Sequence, residues 1–219
     1  MELIGTGRAS QVYALDAHRV LRRSAFDTED EARVMAWARD FGYPVPEVFD
    51  AAAGDLVMER LHGPTLGAAL FAGQVAPDRA GAVLLGLHER LHRIEAPPWL
   101  PLAAHDVDAS GAAPARLLHL DLHPENVVLT EDGPFLVDWT NAAAGSGAFD
   151  IAVSWAILAG VDFAGIGLAP ERVGDVRDGL LAALREATEE PALAWAIGYR
   201  EADANVEEAE VLRVRAELG

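Results

Sequence analysis

One segment constrains this chain more than any other. His119-Leu120-Asp121-Leu122-His123-Pro124-Glu125-Asn126 places a histidine, a carboxylate and an amide in an H-x-D-x-x-x-x-N pattern, and a second carboxylate, Asp138, follows twelve residues after the amide. The flanking runs Arg116-Leu117-Leu118-His119 and Phe135-Leu136-Val137-Asp138 are short, apolar and end in charge, with a turn signal at Glu131-Asp132-Gly133 between them. Runs of this kind read as strands that deliver polar side chains to the edge of a cleft. Phosphoryl transfer needs this trio: one carboxylate to orient a hydroxyl and take its proton, and an acceptor pair for magnesium ions that neutralise developing charge. A surface loop with one hydrogen-bonded aspartate accounts for neither the order nor the spacing. His119 and His123 also invite a zinc reading, but no further ligand is in view, and histidines satisfied within the loop are the simpler account.

The rest of the chain supplies a frame for that segment. Leu3 to Tyr13 predicts a strand running into a glycine turn, and Arg19-Val20-Leu21-Arg22 a short strand paired with it. Thr28-Glu29-Asp30-Glu31 has the capping-box pattern, opening a helix to Arg39 that Gly42, Pro44 and Pro46 close. Leu56-Val57-Met58 reads as a strand, and Glu59 to Gly63 marks the boundary between an N-terminal unit, 1–60, and a larger one, 61–219. Beyond it, leucines at 84, 85, 87 and 91 put an amphipathic helix over Arg79 to Ile94, and Val173 to Thr188 and Pro191 to Leu218 read as further helices rich in carboxylates. Ile151 to Ala169 is apolar enough to resemble a membrane span. Asp162 and glycines at 160, 165 and 167 make it a buried helix followed by a loop.

Composition narrows the partners. Net charge is −18, and all 17 basic residues are arginine, so nucleic acid and anionic membranes are poor partners, whereas a cationic small molecule is compatible. A general solubility requirement explains the same acidity equally well. Without cysteine there is neither a disulfide framework nor a thiolate zinc site. The N-terminus lacks a secretory pattern, which makes the cytoplasm the expected compartment.

His119 to Leu129 together with Val137-Asp138-Trp139 resembles the signature of the aminoglycoside phosphotransferase and choline kinase superfamily, relatives of protein kinases. The resemblance runs through nearly the whole chain. It implies a bilobal α+β protein-kinase-like fold, with a small antiparallel sheet plus one helix followed by a larger, mainly helical part, and with MgATP in the cleft. It further implies that Asp121 is the catalytic base, that Asn126 and Asp138 are magnesium ligands, and that Asp150 anchors the catalytic loop. Gly5-Thr6-Gly7-Arg8-Ala9-Ser10-Gln11-Val12 is similar to the loop that covers the nucleotide, with Ser10 where a third glycine often stands and Val12 over the adenine. Relatives end the third strand in a lysine paired with a helical glutamate. Here Arg22 stands in that place, with Arg23 as the alternative register, and Glu31 is either its partner or only the capping-box residue. Met58, Glu59 and Leu61 match the linker whose backbone bonds adenine.

These expectations make the chain an ATP-dependent enzyme that moves a γ-phosphate to a hydroxyl of a small molecule, with aminoglycosides and other antibiotics, choline-like amines, homoserine, fructosamines and sugars as candidate acceptors. Two other readings stay open at this point: a non-catalytic nucleotide-binding protein that has lost the lysine clamp, and a metal-dependent hydrolase built on His119 and His123.

Overall fold

A computed structural model of the chain describes residues 1–7, 10–105, 114–163 and 170–218; Arg8 and Ala9 of the glycine turn and 164–169 of the apolar stretch lie outside them. The N-terminal sheet is built from β1 (Glu2–Thr6), β2 (Ser10–Ala14), β3 (Arg19–Ser24), β4 (Val48–Ala52) and β5 (Asp55–Glu59), all antiparallel in the order β1-β2-β3-β5-β4. Its register is informative. Val12 lies opposite Arg22, and Arg22 opposite Leu56; Ala14, Val20 and Met58 are matched in the same way two residues along. Side chains directly opposite share a face, so Val12, Arg22 and Met58 point to one side of the sheet, and Arg23 to the other.

Helix α1 (Glu29–Asp40) packs beside β4. Its capping box does not form. Thr28 is buried and its hydroxyl donates to the carbonyls of Ala53 and Asp55, at 3.2 and 3.0 Å, while the Asp27 carboxylate accepts the Glu29 N–H at 2.8 Å. The β4–β5 turn thereby competes successfully for the side chain that a free helix would keep as its cap.

The larger part holds α2 (Leu66–Phe71), α3 (Pro77–Leu91), α4 (Gly147–Gly160), α5 (Pro170–Glu186), α6 (Glu190–Ala202) and α7 (Glu208–Ala216), with two small two-stranded ladders, β6 (Arg116–Leu118) with β9 (Ala143–Gly145) and β7 (Val127–Thr130) with β8 (Gly133–Leu136). Helix α4 is buried along nearly its whole length and is packed by α3, α5, α6 and α7. It is the apolar stretch expected to be a buried helix, and among the described residues no helix is long and apolar enough to cross a membrane. The stretch from Pro191 to Leu218, expected to be helical, forms α6 and α7. The expected α+β arrangement, sheet and one helix first and helices after, is what the chain adopts.

Candidate active site

The H-x-D-x-x-x-x-N segment leaves β6, passes through a 3₁₀ turn at Pro124–Asn126 and enters β7; Asp138 follows β8. Two non-glycine residues in it are left-handed, Leu120 at φ +60° and Asp138 at φ +64°. Such backbone is costly for residues with a Cβ and persists only where surroundings over-determine it. At Leu120 the determinant is Asp150 in the first turn of α4. This carboxylate is fully buried, and its oxygens accept the backbone N–H of Leu120 at 2.8 Å and of His119 at 3.2 Å. Burial alone would push Asp150 up; the imidazoles of His88 and His92 outweigh it and hold the carboxyl well below its ordinary value.

The loop that Asp150 holds presents Asp121 at its surface. The Asn126 amide donates to Asp121 twice, to the carbonyl at 2.9 Å and to the carboxylate at 3.0 Å. With Nδ2 so committed, Asn126 turns its oxygen away from Asp121. His119 is sealed beneath the loop: Nε2 meets the Val137 carbonyl at 3.2 Å, and Nδ1 accepts the Asp121 N–H at 3.3 Å. That pattern fits a neutral imidazole, and burial pulls its pKa down to about 4. His123 accepts the Glu125 N–H at 3.3 Å and stands 3.7 Å from the Asp121 carboxylate. Both histidines thus serve the loop, and neither belongs to a group of three metal-competent side chains among the described residues.

From the sheet, Arg22 reaches the same place. It is buried, its Nη2 bonds the Glu31 carboxylate, and its Nη1 lies 3.7 Å from Asp138. Glu31 also accepts the Trp139 N–H at 3.2 Å. One side chain from α1 therefore ties the strand-end arginine to the residue following Asp138. Burial lowers the Arg22 pKa and Asp138 partly opposes it, but a guanidinium stays charged in either case. Arg23 is exposed and paired bidentately with Asp55 at 2.7 Å, so of the two arginines Arg22 is the one that faces Asp138. Arg22 Nε is buried with no hydrogen-bond partner.

The remaining expected residues lie toward the two ends of the strands, Ser10 opposite Ser24 and Glu59 opposite Arg19. Gly7 N–H bonds the Ser10 carbonyl at 2.8 Å, closing the β1–β2 turn, and Gly5 packs on Val12. Met58 is half-buried against the core, and Glu59 is fixed by its N–H on the Glu47 carbonyl at 2.8 Å. Leu61 makes no backbone hydrogen bond among the described residues.

The donor set fits magnesium. Asn126 offers a carbonyl oxygen, Asp138 a carboxylate whose side chain is 44% exposed, and both are hard oxygen ligands of the kind Mg²⁺ takes alongside phosphates. Trp139 locks this corner, edge-on to His119 at 4.9 Å and to Tyr43 at 5.6 Å between ring centroids.

Two features lay outside the sequence reading. His88 in the last turn of α3 and His92 at its C-cap converge on Asp150, and their signal was available as two histidines four apart at the end of an apolar helix. Tyr199 on α6 stacks edge-on against buried Phe149 at 5.8 Å; burial, then Asp203 and Asp121, raise its hydroxyl to about 12. Of the carboxylates in the C-terminal helices, Glu210 pairs with Arg200 at 3.0 Å and Glu201 with Arg215.

A family model described as a phosphotransferase enzyme family (APH) matches residues 1–109 and 99–196. Thiamine kinase from Salmonella paratyphi A is 28% identical over an alignment 178 positions long that covers 69% of this chain and 63% of the relative; the chain thus spans less than two thirds of that protein's length. Among solved structures, Plasmodium vivax ethanolamine kinase superposes with a TM-score of 0.65 at 11% identity, covering 100% of this chain and 81% of the other. The streptomycin–ATP ternary complex of APH(2″)-IIa gives 0.60 at 11% identity, covering 99% and 90%. Likenesses at this identity establish the fold.

Proposed function

Because the chain belongs to the APH phosphotransferase enzyme family, we propose that it is an ATP-dependent small-molecule kinase of the cytoplasm that transfers the γ-phosphate of ATP to an alcohol. The observation that carries this is the linkage Arg22–Glu31–Trp139 N–H, which brings a buried cation and the Asp138 carboxylate to within 3.7 Å of each other, beside a loop that presents Asp121. In this reading Asp121 orients the acceptor hydroxyl and takes its proton. Asn126 and Asp138 hold magnesium, which supplies neutralisation of charge on the phosphate oxygens. Arg22 replaces the lysine of relatives as the α/β-phosphate clamp; its Nη1, on the Asp138 side, is the donor left for phosphate after Glu31 takes Nη2. The turn at Gly5, Gly7 and Ser10 covers the phosphates, Val12 and Met58 flank the adenine, and the backbone of Glu59 and Leu61 bonds its edge. The division of the chain at 60/61 belongs to the same proposal.

For the acceptor we propose a hydroxyl-bearing amine. Thiamine and ethanolamine kinases among the similar proteins and the net charge of −18 support that class. The carboxylates of the C-terminal helices are the proposed point of contact; with Glu201 and Glu210 paired internally, Asp203, which together with Asp121 raises the Tyr199 hydroxyl, is the member of this group we favour. A panel of thiamine, ethanolamine, choline, aminoglycosides, homoserine and neutral sugars, read by ADP release, tests it. Amines should react best, with KM rising as salt screens attraction beyond about 8 Å. A neutral best acceptor overturns the amine class. Stabilisation by MgATP without turnover on any acceptor overturns catalysis and favours a nucleotide-binding protein.

A further inference from the structure

The catalytic loop is held from behind by a network that the phosphoryl-transfer reading does not use. His88, in the last turn of α3, and His92, its C-cap residue, both reach the Asp150 carboxylate, His92 Nε2 at 2.9 Å and His88 Nδ1 at 3.3 Å. His88 is fully buried, and its Nε2 is fixed by the Ser154 hydroxyl at 3.0 Å, one turn beyond Asp150 on α4. The His88–Asp150 approach lacks hydrogen-bond alignment, which leaves His92 as the aligned imidazole partner. On its far side the His92 ring is pressed against α4, where a Cβ added to Gly147 would come within 2.6 Å of Nδ1. The same Asp150 carboxylate bonds the N–H of Leu120, the left-handed residue directly before Asp121.

We propose that His92 is a positioning residue for Asp121, acting through Asp150. A buried carboxylate with only two backbone donors is free to rotate or to take up a proton, and either change frees the strained Leu120 backbone to relax toward ordinary φ. The imidazole donor fixes the carboxylate rotamer and keeps it ionised, and so the orientation of Asp121 is set from α3, on the side of the loop away from the sheet. A metal at His88, His92 and Asp150 is the less economical reading, since both carboxylate oxygens already serve backbone amides.

This inference rests on Asp121 being the base, but its principal readout does not. Amide hydrogen exchange is followed across residues 117–126 in the wild type, His92→Gln, His92→Phe and Gly147→Ala, with thermal midpoints and MgATP affinity by calorimetry. Gln places an amide donor near the Nε2 position; Phe removes the donor; Ala at 147 keeps the imidazole and displaces it. His92→Phe and Gly147→Ala should each speed exchange of the His119 and Leu120 amides by about tenfold or more while leaving β3 and α1 protected. MgATP affinity should stay within about twofold, and kcat on the best acceptor of the panel should fall by roughly 10²-fold; His92→Gln should recover both exchange and rate. Unchanged loop exchange in both disruptive variants overturns the inference, as does a uniform loss of protection across the fold or a failure of Gln to recover it. A wild type that transfers no phosphate would defeat the proposed function, yet the exchange data would still decide the role of His92.

Discussion

At the scale of single residues, the proposed clamp is an arginine where the resemblance implies a lysine, and the geometry around Arg22 shows how the larger head is accommodated. A guanidinium has enough donors to bond Glu31 and still face Asp138, whereas an ammonium is a compact point charge. Arg22→Ala should therefore raise the KM for ATP and lower kcat together, while Arg23→Ala, which breaks only an exposed pair with Asp55 on the other face of the sheet, should leave both within about twofold. Steady-state kinetics of the two variants checks this, and the reverse order would return the clamp to Arg23. The residues that meet here were legible because spacing carries them: Asp121, Asn126 and Asp138 by pattern, and Arg22 and Glu31 by order along the chain. The left-handed backbone of Leu120 and Asp138 was not, because neither residue type favours it and only the surrounding hydrogen bonds impose it.

Among elements, the long periodic helices were easiest to read and the short strands hardest. Strand β4, Val48-Phe49-Asp50-Ala51-Ala52, carries little strand propensity of its own and forms because β5 offers its edge. Helix α2 is six residues long, too short for a periodic signal. The capping box failed for a reason of context, since its threonine was taken by the β4–β5 turn. Gly63, read as a break, is where the segment after β5 meets the catalytic strand: its φ is +151°, and a Cβ there would stand 1.8 Å from the Leu129 carbonyl, next to the Leu129 N–H bond to Pro64 at 2.9 Å. Gly63→Ala should cost roughly 2 kcal/mol or more, from backbone strain plus the lost approach. Thermal unfolding checks it, and a midpoint equal to the wild type would remove this contact from the account.

Across the whole molecule, buried histidines couple stability to pH. Burial holds His119 near 4 and lowers His88 as well, so between about 6.5 and 4 the unfolded chain binds protons that the folded chain refuses. The His119 contribution is then full above 6.5 and declines as pH falls toward 4, by about 1 kcal/mol per pH unit, and His88 acts in the same direction. The depressed Asp150 acts lower, its contribution being lost only below the ordinary carboxylate range. Urea unfolding at pH 7.5, 6.5 and 5.5, above the range in which surface carboxylates titrate, should show this decline, and a flat profile would mean that His119 is not sealed. The central claim is that this fold, assembled around one pinned loop, moves phosphate with Asp121 as base. Its most direct test is transfer from γ-labelled ATP by wild type and Asp121→Asn across the acceptor panel, alongside MgATP affinity by calorimetry. The account predicts a labelled alcohol from the wild type, transfer slower by about 10²–10⁴-fold in the variant, and an affinity for MgATP that hardly changes; full transfer by Asp121→Asn, or none by the wild type that binds MgATP, would contradict it.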